Sequence, residues 1–393
     1  MIETVENILF KSARGVKIMK KPNIGILTFP ISEAGNIPLS NLVDILQPLS
    51  NDIYLITGND GYTFFKDDKR IHAYGIKHEM GANTFTRILK YIYAQLSISY
   101  KLTKITRNID LWIFFIGGDT VVLPMLTAKL LWKKVVLAFA GSSVQTLESA
   151  GDSLFKWVKI LSKINLVLSN GIVVYSPNLI QQWNLEKYKD KILIAHRHFL
   201  DFNKFEIKKK LSERNNLAGY IGRLSEEKGV LNFVKTIPEI LKEKNDLEFL
   251  ICGDGQLRDE IEKYISEKNL KDKVKLAGWI PHGNLPDYLN ELKLVVLPSF
   301  TEGLPNIMLE AMACGTPVLA TSVGAISDVI KDGETGFIME NNSPEHIARN
   351  VIRILEQPDL DKIVENARAL VEQEFTYKAV VKRYKKILSE LRG

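Results

Sequence analysis

The 393-residue sequence is poor in cysteine, with two, Cys252 and Cys314. They stand in Leu250-Ile251-Cys252-Gly253 and Ala311-Met312-Ala313-Cys314-Gly315, the contexts of a strand and a helix interior. Two residues so far apart make neither a disulfide framework nor a metal-ligand spacing, so both read as small buried hydrophobes. No apolar run reaches the roughly 20 residues that cross a bilayer, and Ile8 to Phe10 is too short for a signal-peptide core. A cytoplasmic protein is expected, with Met1 to Lys21 as a loosely attached extension before the first clear strand. Charge of one sign is scarcely in excess: 52 basic against 46 acidic residues give +6. That is too mild for a nucleic-acid partner, and it suits a protein that meets phosphates or an anionic membrane surface. No Gly-Lys-Ser/Thr of the Walker type occurs, and Phe29 to Asn36, after the first strand, holds one glycine where a dinucleotide fingerprint needs three. No Asp-x-Asp pair stands at a strand end to hold a metal, and no cofactor is expected.

What is present is ordinary globular composition, 46% apolar and 25% charged, long enough for two or three domains. Short apolar runs alternate with longer amphipathic segments. In the first half the strands fall at Ile24 to Thr28, Ile53 to Thr57, Leu111 to Phe115, Val135 to Phe139, Ile172 to Tyr175 and Ile192 to Ala195, with a helix around Leu39 to Leu49. Alternation restarts with Ala218 to Ile221, Phe249 to Cys252, Val274 to Ala277, Leu294 to Leu297 and Val318 to Thr321. Between them Phe202 to Asn216 changes character and is read as a linker, its Lys208-Lys209-Lys210 as a solvated face. The remainder, Pro344 to Leu391, reads as helices broken near Pro358 and Phe375. The pattern predicts two doubly wound parallel sheets, with ligand at the carboxyl ends of the strands.

The most informative stretch is Ser299 to Glu310. A buried strand ends, a turn follows, and a helix opens near Pro305, a residue suited to a first helical turn. Glu302 and Glu310 bracket that turn and helix. A helix N-terminus holds phosphate, while carboxylates accept from hydroxyls. Together they suggest a nucleotide-sugar. Gly222-Arg223-Leu224-Ser225-Glu226-Glu227-Lys228-Gly229 follows the first strand of the second half. In isolation it is a surface turn with solvated charges. At the same sheet edge as Glu302 it becomes a clamp, with Arg223 a planar fork and Lys228 a mobile point charge for a diphosphate. Gly253-Asp254-Gly255, after the next strand, joins that edge and is expected to touch the nucleotide.

Gly-Arg-Leu-x-x-x-Lys-Gly, then Gly-Asp-Gly, then Glu302-Gly303-Leu304-Pro305 with Leu309-Glu310-Ala311-Met312-Ala313-Cys314-Gly315-Thr316-Pro317-Val318, in this order, resembles the retaining nucleotide-sugar glycosyltransferases of family 4, over roughly Ala218 to Ile338. The resemblance implies the α/β GT-B fold: two Rossmann-like domains facing a cleft, an acceptor-side domain at 22–201, a donor-binding domain at 214–375, and a final helix at 376–393 that packs back on the first. It implies an EC 2.4 hexosyltransferase acting with retention and without metal, in glycan or glycolipid biosynthesis. The donor is a nucleoside-diphosphate sugar and the acceptor a saccharide or lipid-linked group. By position, Arg223 and Lys228 hold the diphosphate, Glu302 meets the sugar hydroxyls, and Glu310 accepts from the ribose. Backbone N–H groups at Gly303, Leu304, Pro305 and Asn306 meet sugar or phosphate, with Gly222, Gly253 and Asp254 completing the donor site.

The first half departs from that pattern. Ala34-Gly35-Asn36 stands where many members have a double-glycine loop, and Ala140-Gly141-Ser142-Ser143 where many have a histidine. Gly117-Gly118-Asp119 is an alternative source of polar groups, although Asp119 is better read as a helix N-cap. His196-Arg197-His198 suggests hydrogen bonding near donor or linker, or a structural role, ahead of zinc, for which no third ligand is evident. Arg87 to Arg107 holds five basic residues, no acidic ones and recurrent apolar residues. It reads either as a helix on an anionic membrane, which places the protein on the inner face, or as an ordinary helix packing on the sheet. Phe155 to Ile160 has the same flavour. Two rival functions share the fold: a nucleotide-sugar 2-epimerase and a non-catalytic nucleotide-sugar-binding subunit.

Overall fold

A computed structural model describes residues 20–79, 81–149 and 151–392. The run Ile8 to Phe10 and all but the end of the Met1 to Lys21 extension lie outside them. The chain forms two compact units. Unit 1 takes the sequence up to Val173, Asp190–Leu193 and the chain from Tyr384; unit 2 takes Val174–Lys189 and Ile194–Arg383.

In unit 1 the order is β1 (Ile24–Leu27), α1 (Asn36–Leu46), β2 (Ile53–Gly58), α2 (Asp60–Phe65), β3 (His72–Ile76), α3 (Thr84–Ile105), β4 (Leu111–Phe114), α4 (Val122–Leu130), β5 (Lys134–Ala138), α5 (Ser143–Ser149), α6 (Phe155–Leu168) and β6 (Gly171–Val174). With β7 (Ile192–Ile194) they make a seven-stranded sheet of order β3-β2-β1-β4-β5-β6-β7. The pairings from β1 to β6 are parallel. The central strands β1 and β4 are buried throughout, which is why they read as continuous apolar runs. Gly25 leaves room for the Trp112 ring from the next strand: a Cβ there would stand 2.5 Å from Cε3. The edge strand β3 escapes the sequence pattern because His72-Ala73-Tyr74-Gly75 carries no apolar run and only Ile76 is buried.

Unit 2 holds α7 (Asn178–Gln182), then β8 (Leu217–Ile221), α8 (Val230–Glu243), β9 (Glu248–Cys252), α9 (Arg258–Glu267), β10 (Val274–Gly278), α10 (Leu285–Glu291), β11 (Leu294–Leu297), α11 (Asn306–Ala313), β12 (Val318–Thr321), α12 (Ile326–Val329), β13 (Phe337–Met339), α13 (Pro344–Leu355) and α14 (Leu360–Glu374). The sheet is parallel in the order β10-β9-β8-β11-β12-β13. An apolar core covers each face, one centred on α8, α9 and α13 and the other on α10, α11 and α14. Helix α15 (Tyr377–Arg392) begins in unit 2 and ends in unit 1, where Lys134 Nζ donates to the Leu391 carbonyl at 2.8 Å.

The segment read as a linker, Phe202 to Asn216, is instead fastened to unit 2. Phe205 is buried in its core. Asn290 Oδ1 accepts from the Lys208 and Lys209 amides at 2.7 and 3.3 Å. The buried Arg214 guanidinium donates to the carbonyls of Lys209, Leu289, Leu292 and Cys314 and to Thr316 Oγ1. Its polar composition hid this, because the polar atoms satisfy backbone groups rather than water. Lys208 and Lys209 pair with Asp287 and Glu291. Both cysteines are buried, and burial pushes each thiol up to about 12.

Candidate functional site

In unit 2 the chain leaves β8 toward β9 and β10, then returns to place β11 on the other side of β8. The β8/β11 boundary is therefore a topological switch point, where loops at the carboxyl ends diverge and leave a crevice for ligand. Two of the predicted loops flank it. The loop after β8 carries Gly222, Arg223 and Lys228; the loop after β11 carries Glu302 to Pro305. They are stitched together by the Phe300 amide, which donates to the Glu227 carbonyl at 2.9 Å. Gly229, at φ +65, lets the first loop pass the second: a Cβ there would lie 2.0 Å from the Pro298 carbonyl oxygen.

Lys228 Nζ donates to Glu302 Oε1 at 2.7 Å across the switch point, and Ser299 Oγ donates to the same oxygen at 2.7 Å. The Glu302 side chain is 10% exposed and that of Lys228 28%, so the pair is screened from water but open on one side. Arg223 is different. Its side chain is 69% exposed and stands 3.6 Å from Glu227. Ser225 Oγ donates to Glu227 at 2.6 Å, which chiefly holds that carboxyl below the usual range. Tyr175 also reaches this edge: a Cβ on Gly303 would stand 3.0 Å from its hydroxyl. Burial first, with Glu302 adding to it, pushes the Tyr175 phenol up to about 12, so it stays protonated.

The loop after β9 lies beside that after β8. Gly253, at φ +133, passes so close that a Cβ would sit 1.8 Å from the Gly222 carbonyl oxygen. The Asp254 carbonyl accepts from the Leu224 amide at 2.9 Å, and its Oδ1 caps the Gly255 amide at 2.8 Å. The Asp254 side chain thus shapes the turn. Pro305 occupies the N-cap of α11 with extended ψ, and Asn306 opens the helix. Having no N–H, Pro305 donates nothing, which leaves the amides of Gly303, Leu304 and Asn306 in this stretch, and the Leu304 side chain is buried in the core.

Glu310, in the second turn of α11, is buried and belongs to a separate cluster. His282 lies 2.7 Å from Glu310 Oε1 through Nε2, and Lys204 Nζ lies 2.9 Å from His282 Nδ1. An ammonium can only donate, so Nδ1 accepts, Nε2 carries the proton, and His282 donates to Glu310. Ser299, Tyr175, His282 and Lys204 escaped the sequence reading. Pro281-His282-Gly283 offers a turn signal alone, Tyr175 and Lys204 lie outside the motifs, and Ser299 opens the Ser299 to Glu310 stretch with no role assigned to it there.

The remaining candidates resolve otherwise. Asp119 is not an N-cap; Val121 caps α4. Asp119 is buried, accepts from Ser143 Oγ at 2.8 Å, and burial raises its carboxyl to about 6. His196 stacks on Phe375 at 4.2 Å and its Nε2 faces Arg383 Nη1 at 2.6 Å. Burial, then Arg383, lowers it to about 3, so it is neutral. Among the described residues no three His, Cys, Asp or Glu side chains stand together to hold a metal ion, and no helix is long and apolar enough to cross a membrane.

Two doubly wound parallel sheets in one chain, the second with a stitched, cation-bearing switch point, define the GT-B class. HepE from Anabaena, solved in complex with UDP, shares the fold with a TM-score of 0.73 at 16% identity, covering 95% of this chain and 100% of that one. Residues 201–370 match the family described as glycosyl transferases group 1. The chain is 34% identical over 161 residues to alpha-D-kanosaminyltransferase of Streptomyces kanamyceticus, covering 41% of this chain and 42% of that protein, so this match spans less than half of the relative. It is 23% identical over 380 residues to N-acetyl-alpha-D-glucosaminyl L-malate synthase of Bacillus anthracis, covering 93% and 96%.

Proposed function

We propose that this protein is a retaining glycosyltransferase of family 4. It moves a sugar from a nucleoside-diphosphate donor to a saccharide or lipid-linked acceptor. The observation that carries the reading is the Lys228–Glu302 pair at 2.7 Å on the switch point of unit 2. One member is a cation for phosphate and the other an acceptor for sugar hydroxyls, held in contact before any ligand arrives. Arg223 closes on the diphosphate from the solvent side. The amides of Gly303, Leu304 and Asn306 point their N–H groups at the same anion or at the sugar. Glu310, oriented by His282, receives the ribose hydroxyls.

In the reaction the acceptor oxygen forms a bond to the anomeric carbon as the bond from that carbon to the diphosphate oxygen breaks. The acceptor proton passes to the departing diphosphate, whose growing charge Lys228 and Arg223 stabilise. This reading invokes no resident metal or cofactor. The kanosaminyltransferase is named for glycosyl transfer, which favours transfer over 2-epimerisation or a non-catalytic subunit. The reaction is read as cytoplasmic, at the inner membrane face for a lipid-linked acceptor, with Arg87 to Arg107 against an anionic surface. The test is to incubate the protein with a panel of nucleoside-diphosphate sugars and acceptors and read the product's anomeric configuration by NMR. Transfer with retention supports the reading. Transfer with inversion refutes the mechanism, and an epimerised donor without transfer refutes the function.

A further inference from the structure

Unit 1 exposes an apolar surface that its fold does not use. On α3, Phe85, Leu89, Ile92, Leu96 and Tyr100 are all exposed and recur every three or four residues, one face of the helix, while Ala94, Ile98 and Leu102 bury the other. On α6, Trp157, Ile160, Ile164 and Val167 repeat the pattern. Helix α4 packs against both, and Leu130 and Trp132 project from its end, Trp132 95% exposed. The charges that these helices themselves carry have one sign, although Glu79 and Asp152 pair with Lys90 and Arg87 at the start of α3. Helices α3, α4 and α6 contain no Asp or Glu, and carry Lys101, Lys104, Lys129, Lys156, Lys159 and Lys163. Contiguous exposed apolar surface marks an interaction site, and a lysine-rimmed apolar face complements an anionic bilayer.

Between α3 and α6 opens a cavity of about 670 Å³, walled by Ile88, Ile92, Leu154, Trp157, Val158 and Leu161. Its volume is that of sites for medium-sized ligands. Of the polar side chains around it, those of Tyr91, Thr120, Ser143, Gln95 and Arg87 already bond within the protein, while the His78 ring lies edge-on to Phe29 at 4.9 Å. Tyr91 donates its hydroxyl to the Thr120 carbonyl at 2.7 Å, Thr120 Oγ1 to the Gly117 carbonyl at 2.9 Å, and Ser143 to Asp119 at 2.8 Å. Gln95 Oε1 accepts from the Leu123 amide at 2.9 Å, and Arg87 pairs with Asp152 at 2.6 Å. A sugar buried here would leave most of its hydroxyls without partners, whereas a hydrocarbon needs none.

We infer that the α3/α6 cavity takes the hydrocarbon chain of a lipid-linked acceptor while the surrounding apolar, lysine-rimmed face rests on an anionic bilayer; this rests on the transferase reading and names its acceptor class. The test uses the full chain, phosphatidylcholine vesicles with and without phosphatidylglycerol, and the fluorescent fatty acid cis-parinarate. Flotation with the anionic vesicles, weakened by salt, is expected. Leu89→Glu with Leu96→Glu, on the surface stripe and outside the cavity lining, lowers vesicle binding by about tenfold or more and leaves parinarate binding intact. Val158→Trp, which fills the cavity, does the reverse, and Ile92→Ser, which makes its wall polar, weakens parinarate without crowding the core. Vesicle binding without parinarate binding overturns the cavity assignment. Indifference to phosphatidylglycerol overturns the membrane assignment, as does self-association or capture of a protein in place of vesicles. Thermal shift by donor nucleotide reads unit 2 separately. If it persists while both lipid assays fail, this inference falls and the transferase reading stands. If it is absent while both succeed, the transferase reading falls and the acceptor assignment with it.

Discussion

Lys228→Ala separates catalysis from folding most sharply. The ammonium donates to Glu302 Oε1, which keeps a second donor in Ser299 Oγ. Truncation therefore leaves a nearly buried carboxylate with one partner of two. The stability cost is about 1–3 kcal/mol, within the roughly 5–15 kcal/mol that holds a domain together. The cost in the transition state is larger. A charged donor aimed at a developing anion is worth about 2.7–4 kcal/mol, so kcat is expected to fall by about 10² to 10³. Nucleoside diphosphate released from the donor gives kcat, and a melting curve on the same sample gives stability. Lys228→Arg keeps the charge but replaces a point donor by a fork, so it recovers part of the rate. A kcat within about threefold of wild type, in a variant that still melts cooperatively, refutes the assignment of Lys228 to the leaving group.

Three further outcomes are expected. Gly253→Ala forces a side chain at φ +133 into the Gly222 carbonyl; it lowers stability by several kcal/mol or moves the loop, and urea unfolding with donor titration shows which. Glu310→Ala weakens binding of a nucleoside diphosphate by about tenfold or more, His282→Ala less so, measured by calorimetry; equal binding in wild type and Glu310→Ala removes the ribose assignment. His196, lowered to about 3 in the fold from 6.5, makes stability depend on pH. The unfolded chain binds the proton first, so the contribution is intact above about 6.5 and is lost progressively as pH falls toward about 3. Urea midpoints across this range fall less steeply in His196→Gln.

Both sheets were legible because their central strands are buried on both faces and appear as β-branched runs. Leu294 to Leu297 and Val318 to Thr321 coincide with β11 and β12. The edge strand β3 and the three-residue β13 lack such runs. The site was legible where glycines and charges cluster at strand ends, as at Gly222 to Gly229 and Glu302 to Glu310. Partners brought by tertiary folding were not. His282 and Lys204 meet Glu310 from a distant loop and from the supposed linker. Asp119 shows the opposite error: a local rule assigned it a cap, and burial beside Ser143 took it instead.

Unit 2 is proposed to hold a nucleoside-diphosphate sugar between Lys228, Glu302 and Glu310. The most direct measurement is thermal shift of wild type, Lys228→Ala and Glu310→Ala with a panel of such donors. Binding to the folded state alone adds about 2.7 kcal/mol at a hundredfold excess over Kd. At least one donor is expected to raise the melting temperature of wild type, and both substitutions to diminish the rise. No shift with any donor, or an equal shift in all three proteins, contradicts the proposal.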